Sequence, residues 1–92
     1  MKVRVFGTLR SAVGDRKEIE VCLDGRSTLL KVLDRLITAY PSLQEKVFGD
    51  GEELQGGVNV FVNGRSVRFL AGLNTVLEEG DELALFPPLG GG

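Results

Sequence analysis

Residues 27–41 read STLLKVLDRLITAYP, and the period of this stretch decides the architecture. Leu29, Leu33, Leu36, Ile37 and Tyr40 recur at helical spacing with Val32 beside them, so the apolar side chains gather on one face. Ser27 or Thr28 can cap the start by accepting an orphan backbone N–H. Pro41 forbids continuation and disfavours helical geometry at Tyr40. The spacing therefore predicts one amphipathic helix of about a dozen residues, close to the usual mean length.

On both sides of this helix the period drops to two. Upstream, KVRVFGT (residues 2–8) sets Val3 and Val5 against Lys2, Arg4 and Phe6. EIEVCLD (18–24) sets Ile19, Val21 and Leu23 against Glu18, Glu20, Cys22 and Asp24. The intervening LRSAVGDRK reads as a loop joining an antiparallel pair. Downstream, residues 42–57 are polar and Gly-rich, with Leu43, Val47, Phe48 and Leu54 as anchors, and read as a loop with room for one short helical turn. Val58, Val60 and Val62 then alternate with Asn59 and Phe61. Asn63-Gly64 signals a two-residue turn, because both positions tolerate positive φ, and Arg65 to Phe69 reads as the returning strand. A connector through Gly80-Asp81 leads to a last strand, DELALF, with Leu83 and Leu85 facing inward.

The order is β-β-α-β-β-β, without an internal repeat. One helix covers one face of one sheet, so the fold class expected is α+β, a β-grasp (ubiquitin-like) fold. It has a mixed, curved sheet with the main helix on one face, and parallel neighbours at its centre if the terminal strands pair. Residues 1–86 form the β-grasp domain and residues 87–92 a flexible C-terminal tail.

If the valines and leucines face the helix, Phe6, Phe61, Ala84 and Phe86 face away from it. Three phenylalanines on an open sheet face would form an exposed apolar patch, the kind of surface that marks a partner interface. A loop folded over them, or a bulge that switches the register, is the alternative. Arg4, Arg65 and Arg68 are candidates for its rim.

After Glu82 the chain carries no charged side chain: LALFPPLGGG. Neither Pro87 nor Pro88 has an N–H to continue a ladder, and the pair favours a stiff, extended conformation. Six residues, Pro87, Pro88, Leu89, Gly90, Gly91 and Gly92, span at most ~20 Å. A terminal carboxylate is a poor electrophile and must be activated, typically as an acyl-adenylate. An activating enzyme must thread the terminus into a buried nucleotide site; a merely floppy terminus is the alternative reading of the three glycines. Glycine fits a narrow tunnel, and an uncharged tail avoids the cost of burying charge.

Composition narrows the chemistry. The 92 residues are 42% hydrophobic, with 11 Lys plus Arg against 13 Asp plus Glu, and show no basic stripe of the kind nucleic acid favours. There is no His, so the commonest general base and metal ligand is missing. The single cysteine, Cys22, permits neither an internal disulfide nor a cysteine metal cluster, and excludes a plant-type iron–sulfur ferredoxin. As a nucleophile Cys22 lacks an activating partner. The pairs Glu52-Glu53, Glu78-Glu79 and Asp81-Glu82 diverge in side-chain direction and read as solvated turns, not as a metal site. No phosphate-binding G-x-x-x-x-G-K-[ST] loop is present, which assigns ATP to a partner. With no signal peptide or apolar span legible, a cytoplasmic protein with no nucleic-acid or membrane partner is expected, with no catalytic set and no metal of its own.

Residues 59–92, NVFVNGRSVRFLAGLNTVLEEGDELALFPPLGGG, resemble the C-terminal half of the sulfur carrier family that includes the molybdopterin synthase small subunit (MoaD) and the thiamine carrier ThiS. The resemblance rests on Asn63-Gly64, on Leu73, Thr75 and Leu77, on Gly80-Asp81-Glu82, on Phe86-Pro87-Pro88 and on Gly91-Gly92. KVRVFGTLRSAVG and the helix match more loosely. It implies a β-grasp fold. It also implies adenylation of Gly92 by a ubiquitin-activating-like enzyme using ATP, and conversion of the carboxylate to a thiocarboxylate with a sulfur donor. In the MoaD-like branch, which Phe-Pro-Pro favours, the tail enters a molybdopterin synthase large subunit and delivers sulfur to a pterin precursor. Similar archaeal proteins are attached to lysines as ubiquitin is. The residues leave these uses open, together with thiamine and tRNA thiolation.

Overall fold

The computed structural model describes residues 1–88. Five strands form a mixed sheet: β1 (Lys2–Val5), β2 (Glu18–Glu20), β4 (Asn59–Val62), β5 (Arg65–Ser66) and β7 (Glu82–Phe86), in the order β2-β1-β7-β4-β5. The β1–β7 pair at its centre is parallel, with Val5 opposite Leu85, and the other pairs are antiparallel. Helix α1 (Leu29–Ala39) buries Leu29, Val32, Leu33 and Leu36. These pack in one core with Val3, Val5, Val60, Val62, Leu83 and Leu85 from the inner sheet face. Each such side chain contributes roughly 1.5–3 kcal/mol when fully buried. This is the β-grasp arrangement that the alternation predicts.

The caps follow their chemistry. Thr28 Oγ1 accepts from the Lys31 N–H (3.4 Å) and starts α1; the helix ends at Ala39, two residues before Pro41. At the β4–β5 turn Asn63 and Gly64 take φ of 50° and 84°, the left-handed pair such a turn requires.

Several segments differ from their expected form. The second strand stops at Glu20; beyond it the pairing with the first strand continues through Val21 N–H to the Met1 carbonyl (2.9 Å) and Met1 N to the Val21 carbonyl (2.7 Å), and at the other end through Val5 N–H to the Lys17 carbonyl (3.0 Å). The presumed loop after β1 contains a 3-10 helix, Gly7–Val13, whose Leu9, Ala12 and Val13 close one end of the core. The short helical turn within 42–57 is α2 (Leu43–Val47). The returning strand ends at Ser66, whose hydroxyl accepts from the Arg68 N–H (3.3 Å) and caps a 3-10 turn over Val67–Phe69. Two short strands, β3 (Ser27–Thr28) and β6 (Val76–Leu77), pair as a separate ribbon at the start of α1.

Candidate functional site

The outer face of the sheet is divided along the strands. At one end lie the charged residues Lys2, Arg4, Glu18 and Glu82, paired with one another: Lys2 to Glu18 at 3.1 Å and Arg4 to Glu82 at 2.8 Å. At the other end lie Phe6 and Phe86, with Phe61 one row back, level with Arg4 across Ala84. The register brings them together. The Phe6 N–H donates to the Leu85 carbonyl (3.0 Å), carrying the parallel pairing one residue beyond β1 and setting Phe6 beside Phe86. Their rings stack at 4.4 Å and 8°, while Phe61 meets Phe86 edge-on at 5.4 Å and 73°. Such pairs contribute about 0.5–1.5 kcal/mol each beyond area burial. All three rings are half-buried, partly by one another. The three rings thus share the outer sheet face, half-buried rather than exposed.

The arginine rim is only partly as expected. Arg4 turns to Glu82, and Arg65 lies at the groove between Phe61 and Phe69. Arg68 is elsewhere: its guanidinium donates to the Val58 carbonyl (3.3 Å) and borders Leu54 and Leu73. The 3-10 turn that replaces the end of β5 redirects it. In its place Arg10 sits 5.8 Å from the centre of the Phe6 ring and donates from Nε to the Val5 carbonyl (2.9 Å). No periodic signal marks Arg10, because it belongs to a 3-10 helix. The same turn that displaces Arg68 exposes Phe69 to 88%, extending the apolar surface past Phe61.

The tail begins on this surface. Pro87 lines the same groove as Phe61 and Phe86. Leu89, Gly90, Gly91 and Gly92 lie outside the described residues.

Among the described residues, two groups have displaced ionisation, and both lie at the charged end. The Met1 ammonium donates to Glu20 (3.1 Å), Glu79 (3.1 Å) and the Val21 carbonyl (2.7 Å). Desolvation opposes its charge but is outweighed by the two carboxylates, so its pKa is raised. Glu79 is held below the usual carboxylate range, first by the Leu23 N–H and then by Met1. Glu78 pairs with Arg26 (2.8 Å) and Asp81 accepts from Asn63 (2.9 Å). The acidic turn is thus engaged in structural contacts. Cys22 is exposed and unbridged. Among the described residues no cluster of acidic or Cys side chains could hold a metal ion, and no helix is long and apolar enough to cross a membrane.

The ThiS family pattern matches residues 3–92. The chain belongs to the ThiS family. The small archaeal modifier protein 1 of Haloferax volcanii is 41% identical over 92 residues, covering all of both chains. Its crystal structure superimposes with a TM-score of 0.84, at 40% identity, over 99% of this chain and 97% of that one. A chain of the crystalline BexX/CysO complex of Amycolatopsis orientalis matches with a TM-score of 0.85, at 28% identity, over 99% and 98%. The molybdopterin synthase sulfur carrier subunit of Mycobacterium tuberculosis is 30% identical over 92 residues, all of this chain and 96% of that one. ThiS-family relatives of this chain thus include both sulfur carriers and a protein modifier. The two solved structures share the fold of this chain.

Proposed function

We propose that this chain carries sulfur as a C-terminal thiocarboxylate. The Gly92 carboxylate attacks the α-phosphate of ATP in a ubiquitin-activating-like partner, forming an acyl-adenylate and releasing pyrophosphate. Sulfide then adds at the acyl carbon and AMP leaves, so one carboxylate oxygen is exchanged for sulfur. The observation that carries this reading is the position of the tail. The uncharged run Pro87 to Gly92 starts on the half-buried aromatic groove formed by Phe61 and Phe86. Phe6, Phe61 and Phe86 dock the body of the protein while Leu89 leads the tail in and Gly90 and Gly91 pass a channel too narrow for side chains. The ATP site and the acid–base groups belong to the partner. The recipient is the pterin precursor of molybdopterin in a synthase large subunit, consistent with full-length similarity to a molybdopterin synthase carrier subunit. The reaction is placed in the cytoplasm.

A second reading shares the adenylate and differs in the acceptor: a lysine amine attacks the acyl carbon and an isopeptide forms. The 41% identity to a small archaeal modifier protein favours it. Intact-mass spectrometry after incubation with an activating enzyme, ATP and sulfide separates the two, with a Gly92-deleted chain as control. The expected result is the mass of one oxygen exchanged for sulfur, absent in the control. Adducts to other proteins that need Gly92, without that exchange, would transfer the assignment to the modifier. Neither product would overturn both.

A further inference from the structure

Pro87 and Pro88 leave the sheet between the ends of its two neighbouring strands. Counting the parallel register forward from Val5–Leu85 sets Gly7 opposite Pro87, and counting the antiparallel register from Asn59–Phe86 sets Gly57 opposite Pro88. Both neighbours are glycine in the left-handed region, with φ of +57° at Gly7 and +87° at Gly57. Neither has room for a side chain. A Cβ on Gly7 would lie 2.8 Å from Pro87 Cγ; one on Gly57 would lie 2.9 Å from Pro88 Cβ and 3.3 Å from Pro88 Cα. The contacts are with rigid rings and backbone, not with the end of a flexible side chain, so a methyl group on either glycine must displace the prolines. Gly14 and Gly25 also have positive φ, yet nothing lies within 4 Å of a Cβ built on them. Positive φ is thus common to all four glycines, and close contact with a proline is particular to Gly7 and Gly57.

We propose that Gly7 and Gly57 are positioning residues for the tail: they seat Pro87 and Pro88 from opposite sides and so aim the chain end at the activating site. Proline supplies no N–H to fix it to the ladder, so van der Waals contact with flanking backbone must set its direction. Two side-chain-free neighbours allow that contact at close range. The inference rests on the reading that the tail is inserted into an adenylating partner.

The test has two readouts. NMR on the isolated protein detects cross-relaxation between Gly57 Hα and Pro88 Hβ, and between Gly7 Hα and Pro87 Hγ. ATP–pyrophosphate exchange with the activating enzyme gives kcat and KM for the carrier. Gly57→Ala is expected to lose the Pro88 cross-peaks and to lower kcat roughly tenfold to hundredfold, as misplacement by about 1 Å can. The aromatic face still docks, so KM stays within about threefold. Gly7→Ala, which perturbs Pro87 instead, repeats the test if the first variant folds poorly. Gly25→Ala, with φ of +75° and no neighbour within 4 Å, bears the same backbone strain. It is expected to melt earlier with kcat unchanged. Adding Pro88→Gly removes the colliding ring and is expected to raise kcat in the Gly57→Ala background, though not in the wild-type chain. Missing cross-peaks in the wild-type protein, or a folded Gly57→Ala chain with unchanged kcat, overturns the proposal. A wild-type chain that supports no exchange but keeps both cross-peaks identifies the failure as one of the carrier and modifier reading, and the assigned use falls with it.

Discussion

The two ends of the central β1–β7 pair are built from different chemistry. At the end where both strands start, charges meet partners: Met1 with Glu20 and Glu79, Arg4 with Glu82, Asn63 with Asp81. At the end where both strands finish, three rings pack on one another beside a pair of prolines, with Arg10 above Phe6. The first end satisfies its polar groups internally. The second leaves apolar surface half-covered and releases the chain from the ladder. A partner gains more by covering the second, because apolar area removed from water is favourable at roughly 25 cal/mol per Å², whereas exposed ion pairs give little on deletion or capture.

The largest effect comes from removing what supports both ends. Leu85 is fully buried beneath Phe86, on the opposite side of β7. Leu85→Ala is expected to cost about 2–5 kcal/mol, a large share of the 5–15 kcal/mol typical of a small domain. Urea denaturation would measure it. A loss below about 1 kcal/mol would mean that the inner face is not a single packed core.

Phe61→Ala separates the ends. It is expected to weaken binding to the activating partner by about 2 kcal/mol, roughly 30-fold in Kd, as a central aromatic anchor does. The fold, judged by urea denaturation, loses the edge-on contact with Phe86, about 1 kcal/mol, together with the burial of a half-buried ring. Titration calorimetry giving an unchanged Kd would remove the aromatic end from the interface.

The difference between the ends also explains what the sequence could reveal. Period-two alternation assigns Phe6, Phe61 and Phe86 to one face, because each lies in or beside a strand whose other side is Val or Leu. It also locates α1, since Pro41 is a local stop. The rim depends on segments with no clean period. Arg10 rides a 3-10 helix, and the Ser66 cap turns Val67 inward and Phe69 and Arg68 elsewhere. The β3–β6 ribbon is two residues long on each side, too short for alternation to show. Gly7 and Gly57 are legible only after the register is known, because their significance lies in the prolines opposite them.

Smaller effects test the charged end. Asp81 accepts from Asn63 Nδ2 (2.9 Å) and from the Glu78 N–H (2.8 Å), tying the turn before β7 to the β4–β5 hairpin. Asp81→Ala is expected to lower stability by about 1 kcal/mol, the net value of such exposed bonds, and to leave the Kd for the partner unchanged. A weakened Kd would show that the two ends communicate along β7.

The smallest effect is a pH dependence confined to that end. The folded protein holds Glu79 below its ordinary 4.5 through the Leu23 N–H and the Met1 ammonium. It raises the Met1 ammonium above its ordinary 8.0, the contacts with Glu20 and Glu79 outweighing desolvation. A depressed carboxylate favours folding above its unfolded pKa, and that contribution is lost as pH falls through the folded value. A raised ammonium favours folding below its unfolded pKa, and that contribution is lost as pH rises through the folded value. Both are present together between 4.5 and 8.0. Glu79→Gln keeps an oxygen for the Leu23 N–H and removes the charge. The urea midpoint of wild type should exceed that of the variant across this window, and the gap should narrow on acidification below it and again at alkaline pH. A gap of constant size from acid to alkali would mean that the charge of Glu79 adds nothing to stability. The charged end would then be held by geometry rather than by ionisation.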